Sequence, residues 1–433
     1  MAGAEKIAAL LAGTYVDRES GQAVGVATQA LAMEPALDGA ERELVDGLGF
    51  GRRLAVVSDG NTHAVLGARV ERALAGRYDV QSIVLPGTPH PDDSTVAAVR
   101  AAVAGSDALI AVGSGTINDV CKYASALDGK PYAVFGTAPS MNGYTSVNAA
   151  ITVHGHKLSL PAQAPAGVFF DLGVLAAAPK RLIRAGLGDS LCRATAQADW
   201  LLSHLLLGTP YRQLPFDLLA DDEGPLFANA ADLMAGDLGV MRNLVRTLVL
   251  AGFGTAIVGH SQPASQGEHL ISHYIDMFEP AGRPPVFHGE QVGVTTLTMA
   301  RLQERMLERA PRVVADTLVR GDLVSRYGDE IGVSCWSEFD KKRLDGQRAE
   351  ALNGAIEARW PQVVERVGAI MLPSAGLEAV LRAAGADLTP AAIHLDDAFY
   401  RGAVGHCREI RNRYTFLDLA ANAGRLDGML ATL

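Results

Sequence analysis

Short apolar runs and amphipathic stretches alternate over the first 175 residues. Runs rich in branched residues lie at 54–58, 80–85, 108–112, 132–135 and 168–170. Their lengths and composition predict strands. Helical periodicity fills the intervals 62–75, 93–104 and 116–126, and Asp92-Asp93-Ser94 supplies an N-cap cluster for the second. Alternation of this kind predicts parallel strands joined by helical crossovers. Strands that are apolar throughout fit a sheet covered on both faces. After about Asp171 strand-like runs become rare, and leucine- and alanine-rich helical patterns continue to the end. The expected architecture is an α/β nucleotide-binding domain over 1–175 and an all-α domain over 176–433. Inter-helix loops are expected at Gly208-Thr209-Pro210, 221–225, 280–285 and Pro373.

Composition changes this picture little. The chain has 433 residues, 48% of them hydrophobic and 20% charged, which suits a globular protein with a substantial core. A net charge of −10 argues against nucleic acid as the partner, because phosphate backbones demand clustered Lys and Arg. Cys121, Cys192, Cys335 and Cys407 are scattered and form no C-x-x-C pair. Neither a disulfide framework nor a cysteine zinc site is expected, and a reducing cytoplasm is the simplest setting. MAGAEKIAALLAG reads as a helix, not a leader peptide. No unbroken apolar run reaches about 18 residues, so no membrane span is expected.

The third predicted strand runs into Gly113-Ser114-Gly115-Thr116-Ile117 and a helix start. Glycines permit a tight turn and let backbone N–H groups approach an anion, and the helix N-terminus adds partial positive charge. Thr116 is expected to cap this helix, with Asp119 completing a capping-box variant. The spacing is neither G-x-G-x-x-G nor a P-loop, so a plain strand-to-helix turn explains it equally well. A second loop, Gly136-Thr137-Ala138-Pro139-Ser140, follows the next strand and strengthens a dinucleotide reading. Asp59, after the first strand, can accept from ribose hydroxyls or serve a simple Asp-Gly turn.

Three polar clusters carry candidate metal chemistry. His269, His273 and Asp276 share a helical stripe at i, i+4 and i+7, beside an apolar stripe. His288-Gly289-Glu290-Gln291 opens a later helix, and Gly186-Leu187-Gly188-Asp189 opens an earlier one. A lone histidine is usually a packing residue. Three N/O ligands from separate helices with an open position form a catalytic zinc-like arrangement that polarises an alcohol or carbonyl oxygen. Nickel or ferrous iron accepts the same donors.

GSGTINDVCKYAS, GTAPSMNGYTS, GLGDSLCRATAQADW, GEHLISHYIDM, HGEQVGVTTL and REIRNRYTFLDL occur in that order. Together they resemble the sn-glycerol-1-phosphate dehydrogenase family, in its bacterial AraM-like branch. That family is grouped with glycerol dehydrogenase, iron-containing alcohol dehydrogenases and dehydroquinate synthase. The resemblance spans roughly residues 50–425. It implies a dehydroquinate synthase-like fold and NAD(P)H-linked reduction of dihydroxyacetone phosphate to sn-glycerol 1-phosphate, as in phospholipid metabolism. It further implies a zinc or nickel ion, with iron as another candidate, and a homodimer. Asp189, His269 and His288 would ligate the metal, and His273 would contact substrate. Asp59, Gly113, Ser114, Gly115, Thr116, Ile117, Thr137, Ser140 and Ser146 would hold the dinucleotide. Asn142 stands where the family places a substrate-contacting aspartate; it keeps the size, loses the charge and adds amide donors. His154, His156 and Lys157 are candidates for a phosphate pocket, or simply a solvated hairpin. The alternative activity is a dehydroquinate synthase-like cyclase that uses NAD transiently. The aspartate at 189 weighs against it, since that branch uses glutamate there. A degenerate binding subunit is the non-enzymatic alternative, and retention of every implied ligand weighs against it.

Overall fold

The computed structural model describes residues 3–153 and 156–431. The chain divides into two compact units: Met1–Ser190 with Arg212–Ser261, and Leu191–Tyr211 with Gln262–Leu433.

In the first unit six strands make a parallel sheet: β1 (Ala30–Glu34), β2 (Arg53–Asp59), β3 (Asp79–Leu85), β4 (Ala108–Gly113), β5 (Tyr132–Gly136) and β6 (Gly167–Asp171). Their order is β1-β6-β5-β4-β2-β3. Strands β4, β5 and β6 are buried along their whole length, as covered parallel strands require. Val56, Ile110, Phe135 and Phe169 meet Leu66, Val70 and Leu74 on one face. Each such side chain contributes about 1.5–3 kcal/mol through burial. The chain steps from β2 to one neighbour, β3, then crosses to the other, β4. The strand order therefore reverses between β2 and β4, where α/β sheets open a ligand crevice. Asp59 ends β2 and Gly113 ends β4, one on each side of that point.

β1 escapes the hydrophobic pattern because ALAME has weak strand propensity; pairing with β6 from Gly167↔Ala30 to Asp171↔Glu34 holds it at the sheet edge. The segment around His156 and Lys157 forms the antiparallel hairpin Asn148–Val153 and His156–Pro161; His154 lies outside the described residues. The helix after β4 is α1 (Gly115–Asp128). Its N-cap is Ser114, which displaces the expected capping role of Thr116 into the first turn. Asp119 instead accepts from the Asn118 side chain and the Ala150 N–H.

The unit also contains most of α2 (Lys180–Leu191) and all of α4 (Leu238–Val258). The expected boundary at 175/176 marks the end of the strand pattern but not of this unit. Thr145 donates to the Val249 carbonyl at 2.7 Å, and the Asn142 N–H donates to Asp189 at 2.7 Å, so both helices are tied to loops of the sheet. Helix α4 is long and apolar enough, by length and composition, to cross a bilayer. Arg242 and Arg246 break its apolar run, which is why run length passes over it. Most of it is buried within the protein, and it is a core helix of this unit. The expected loop at 221–225 is helical, inside Leu214–Ala228 despite Pro225. Ion pairs Lys6–Asp221 and Arg246–Asp222 draw these acidic turn-formers onto the helix.

Among its described residues the second unit has helices and connecting loops and no strand, as the pattern predicts. It contains α3 (Arg193–Leu207), α5 (Gly267–Phe278), α6 (His288–Leu307) and α7 (Gly346–Ile370). Helices α3 and α7 pack side by side through Leu201, Leu205, Leu352, Ile356 and Val363. The expected loops at 208–210, 280–285 and Pro373 separate helices as predicted. All four cysteines are buried free thiols.

Candidate functional site

In the first unit the carboxyl ends of β2, β4 and β5 carry most of the expected dinucleotide residues. A Cβ on Gly113 would meet the Ile117 side chain 2.5 Å away, so only glycine lets α1 turn back over the strand end. Ser114 makes no side-chain cap bond, so α1 opens with backbone N–H groups that have no side-chain acceptor. The Thr137 N–H donates to the Gly113 carbonyl at 3.1 Å and ties the two glycine loops together. Ser140 is buried, and Tyr144 closes the second loop through a 2.6 Å bond to the Ala138 carbonyl. Asp59 caps its own helix: Oδ1 accepts from the Asn61 and Thr62 N–H groups at 2.9 Å.

The stretch 141–148 is held from beneath by Lys122, which lies within GSGTINDVCKYAS without a role assigned to it there. Its fully buried ammonium donates to the Gly143 and Asn148 carbonyls and to Ser146 Oγ. Burial pushes Lys122 down to about 8, against the nearby Asp119 charge, while burial raises the Asp119 carboxyl. Ser146 also bonds the Gly143 and Asn148 carbonyls, so its hydroxyl shapes this loop. Lys122→Met would leave Ser146 alone to hold the Gly143 and Asn148 carbonyls and would strip the Asp119 carboxylate of its nearby charge. The expected loss is about 2–4 kcal/mol of unfolding free energy, read from denaturant midpoints, with weaker NADH binding.

Asp189 is buried, and its Oδ2 accepts from the Asn142 N–H. Asn142 thus positions Asp189 through its backbone, whatever its side chain does. Gly186 makes this approach possible, because a Cβ there would overlap the Pro139 carbonyl oxygen.

In the second unit the three histidines converge. Ring centroids of His269 and His288 lie 5.1 Å apart, His269 and His273 5.8 Å, and His273 and His288 6.1 Å. Glu268 bonds His269 Nδ1 at 2.9 Å and is itself fully buried. Burial works to raise Glu268, but the His269 hydrogen bond, the His269 charge and backbone N–H donors together hold the carboxyl below the usual range. Thr195 and the Gln266 N–H also donate to Glu268. A carboxylate behind an imidazole fixes the tautomer and directs the far nitrogen at a ligand. Cys192 Sγ, Glu268 and His269 also lie within 4.8 Å of one another. Glu268 is occupied by its three donors, and Cys192 donates to the Ala264 carbonyl, so this group supports His269 and is not a competing ligand set.

Gln291 closes the His288-Gly289-Glu290-Gln291 cluster, and the structure gives it a role that the sequence pattern does not. Its amide donates to the Ser272 carbonyl, Ser272 Oγ and Asp276 Oδ1, while Arg283 donates to its oxygen. It clamps α5 to α6 and so sets the spacing of His273 and His288. Asp276, expected on the histidine stripe, belongs to this clamp. Asp199 anchors the start of α5 by accepting from the Gly267 and Phe416 N–H groups at 2.9 Å. Burial, and then the Glu268 charge, push its carboxyl up to about 8.

The donor chemistry in each unit fits a divalent cation. Two facing imidazoles, one backed by a carboxylate, are borderline N-donors, and the anchored Asp189 carboxylate is a hard O-donor.

A family model described as iron-containing alcohol dehydrogenase matches residues 32–179. A glycerol-1-phosphate dehydrogenase [NAD(P)+] of Bacillus subtilis (strain 168) is 30% identical over 311 residues, covering 65% of this chain and 79% of that one. The chain belongs to the glycerol-1-phosphate dehydrogenase family. An enzyme of the same name from Halalkalibacterium halodurans is 35% identical over 256 residues, 58% of this chain and 64% of its own length. That match spans just under two thirds of the relative. Among solved structures, a probable glycerol dehydrogenase from Sinorhizobium meliloti 1021 aligns over 93% of this chain and 97% of its own, with a TM-score of 0.59 and 18% identity. The fold is thus that of the iron-containing alcohol dehydrogenases. The family is one of NAD(P)-linked, metal-containing oxidoreductases, and a cyclase is not favoured.

Proposed function

We propose that the protein interconverts dihydroxyacetone phosphate and sn-glycerol 1-phosphate with NAD(P)H, using one divalent cation held by Asp189, His269 and His288. The observation that carries this reading is the His269–His288 pair, with Glu268 fixing His269 from behind. Family membership supplies the substrate class.

When bound, the nicotinamide supplies a hydride and the cation supplies Lewis acidity; zinc, nickel and ferrous iron suit the donors. The rest is done by this chain. N–H groups from Gly113 to Ile117 face the dinucleotide pyrophosphate, with the Ser114, Thr116, Thr137 and Ser140 hydroxyls around it. Asp59 Oδ2 accepts from a ribose hydroxyl while Oδ1 stays on its helix cap. Ser146 contributes by holding the loop. Asn142 presents a neutral amide to the substrate. His273, half-buried beside the other two histidines, delivers a proton to the C2 oxygen as hydride reaches C2. One carbonyl, one hydride and one proton give one alcohol. A reducing cytoplasm suits the four free thiols, and a homodimer completes the proposal.

Following nicotinamide absorbance and phosphate release together tests this. NADH consumption with dihydroxyacetone phosphate and no phosphate release supports the dehydrogenase. Phosphate release from a sugar phosphate, without net change in NADH, overturns it in favour of a cyclase.

A further inference from the structure

The second unit contains a cavity of about 400 Å³ for which the proposed reaction has no use. It lies between the later turns of α3, the start of α7, and the segments 341–344 and 412–414. Its size falls in the range of small-molecule pockets, ~300–1,000 Å³. Cys192, beside His269, marks the other end of α3. From there, Trp200 and Leu207 lie about 12 and 22 Å along the helix axis, at 1.5 Å per residue. The cavity therefore extends away from the histidine cluster, although Gln266, which precedes α5, reaches its wall.

The lining is unusual for so acidic a chain. Lys341, Lys342, Arg348 and Arg413 contribute to it, and no aspartate or glutamate does. Lys342 is satisfied behind the wall by Asp418 at 2.8 Å and by the Arg413 carbonyl. Lys341 pairs with Glu338, with over half of its side chain exposed. Arg348 donates to a backbone oxygen, that of Arg343, which leaves its charge uncompensated by that bond. Arg413 donates to the carbonyl and hydroxyl of Ser265. Lys341 and Lys342 are ion-paired with carboxylates, so Arg348 carries most of the positive potential that the low-dielectric walls focus in the concavity. Gln262, Gln266 and Asn412 add neutral polar groups, while Trp200, Leu206 and Leu352 supply apolar wall. Cationic donors converging beside an aromatic and aliphatic surface suit an anion that carries an organic body.

We infer that this cavity binds a small phosphate monoester with an apolar or aromatic body, at a site separate from the dehydrogenase centre. Arg348 and Lys341 meet the phosphate, and Trp200 and Leu352 meet the body. Binding weakens as salt rises, because the exposed cations are screened.

The test is calorimetric titration of phenyl phosphate into the full-length protein with saturating NAD+ and no second substrate, the Arg348 and Leu352 variants separating this cavity from the dehydrogenase centre. One saturable site per chain is expected. Arg348→Glu is expected to weaken it at least about tenfold, through loss of a charge-assisted contact and gain of repulsion. This variant should fold, because Arg348 lies in the first turn of α7, where a carboxylate is favoured, and Asp345 caps its backbone N–H. Leu352→Phe, which fills the cavity, should also weaken binding while turnover of sn-glycerol 1-phosphate is kept. Absence of saturable binding, binding indifferent to both variants, or equal binding of uncharged phenol would overturn the assignment. A dehydrogenase that is inactive on every substrate, yet binds phenyl phosphate in this Arg348-dependent way, would defeat the proposed reaction and leave this site standing.

Discussion

Replacing His269 by alanine is expected to lower kcat/KM for dihydroxyacetone phosphate by about a thousandfold or more. Lewis-acid assistance provides several kcal/mol of transition-state stabilisation, and three donors cannot become two without losing most of it. The substitution removes a donor whose orientation is already fixed by Glu268, so nothing nearby substitutes for it. Elemental analysis of the purified variant should show metal content far below one per chain. Glu268→Gln separates support from ligation. It leaves His269 in place but weakens the carboxylate behind it, and a smaller fall in metal affinity, about 10–100-fold, is expected. Full metal content in His269→Ala would remove His269 from the ligand set.

Gly186→Val should be the most damaging change outside the ligands. A Cβ at 186 would overlap the Pro139 carbonyl, a backbone atom that cannot rotate away. Helix α2 would have to shift from the 137–140 loop. That shift would break the Asn142–Asp189 bond and distort the loop that backs the dinucleotide site. A loss of about 3 kcal/mol or more in unfolding free energy is expected from overpacking of this kind. Denaturant midpoints measure it. Calorimetry should find both NADH and metal binding weakened, because one residue serves both. A variant with wild-type midpoint and both affinities intact would show that α2 tolerates displacement.

The strands of the sheet were legible because each is a short run dominated by apolar, mostly branched residues, even where Gln81 and Ser82 interrupt β3. β1 was not, because alanines in ALAME carry no strand signal and only the pairing with β6 makes them extended. The helix through Pro225 was hidden for another reason. Asp221, Asp222 and Gly224 read as a turn, and the partners that hold them helical, Lys6 and Arg246, are far away in sequence. The same division holds at the site. Glycine loops and paired histidines announce themselves, since few other residue types can do their work. Lys122 and Gln291 do not, because a lone polar residue on a helix usually faces solvent. A signal was present for Lys122: it sits among Ile117, Val120, Cys121 and Ala124 in a helix otherwise buried, three residues after Asp119. The domain boundary was displaced because composition records where strands stop. It does not record which helices return to pack against them.

The most direct measurement is NADH oxidation driven by dihydroxyacetone phosphate, on one preparation taken through three states: as purified, after chelation, and after zinc or nickel is returned. The expected result is turnover to sn-glycerol 1-phosphate, loss of that turnover on chelation, and recovery on metal addition in the native protein but not in Asp189→Ala or His288→Ala. Undiminished turnover in protein shown to be metal-free, or equal recovery in those variants, would contradict it.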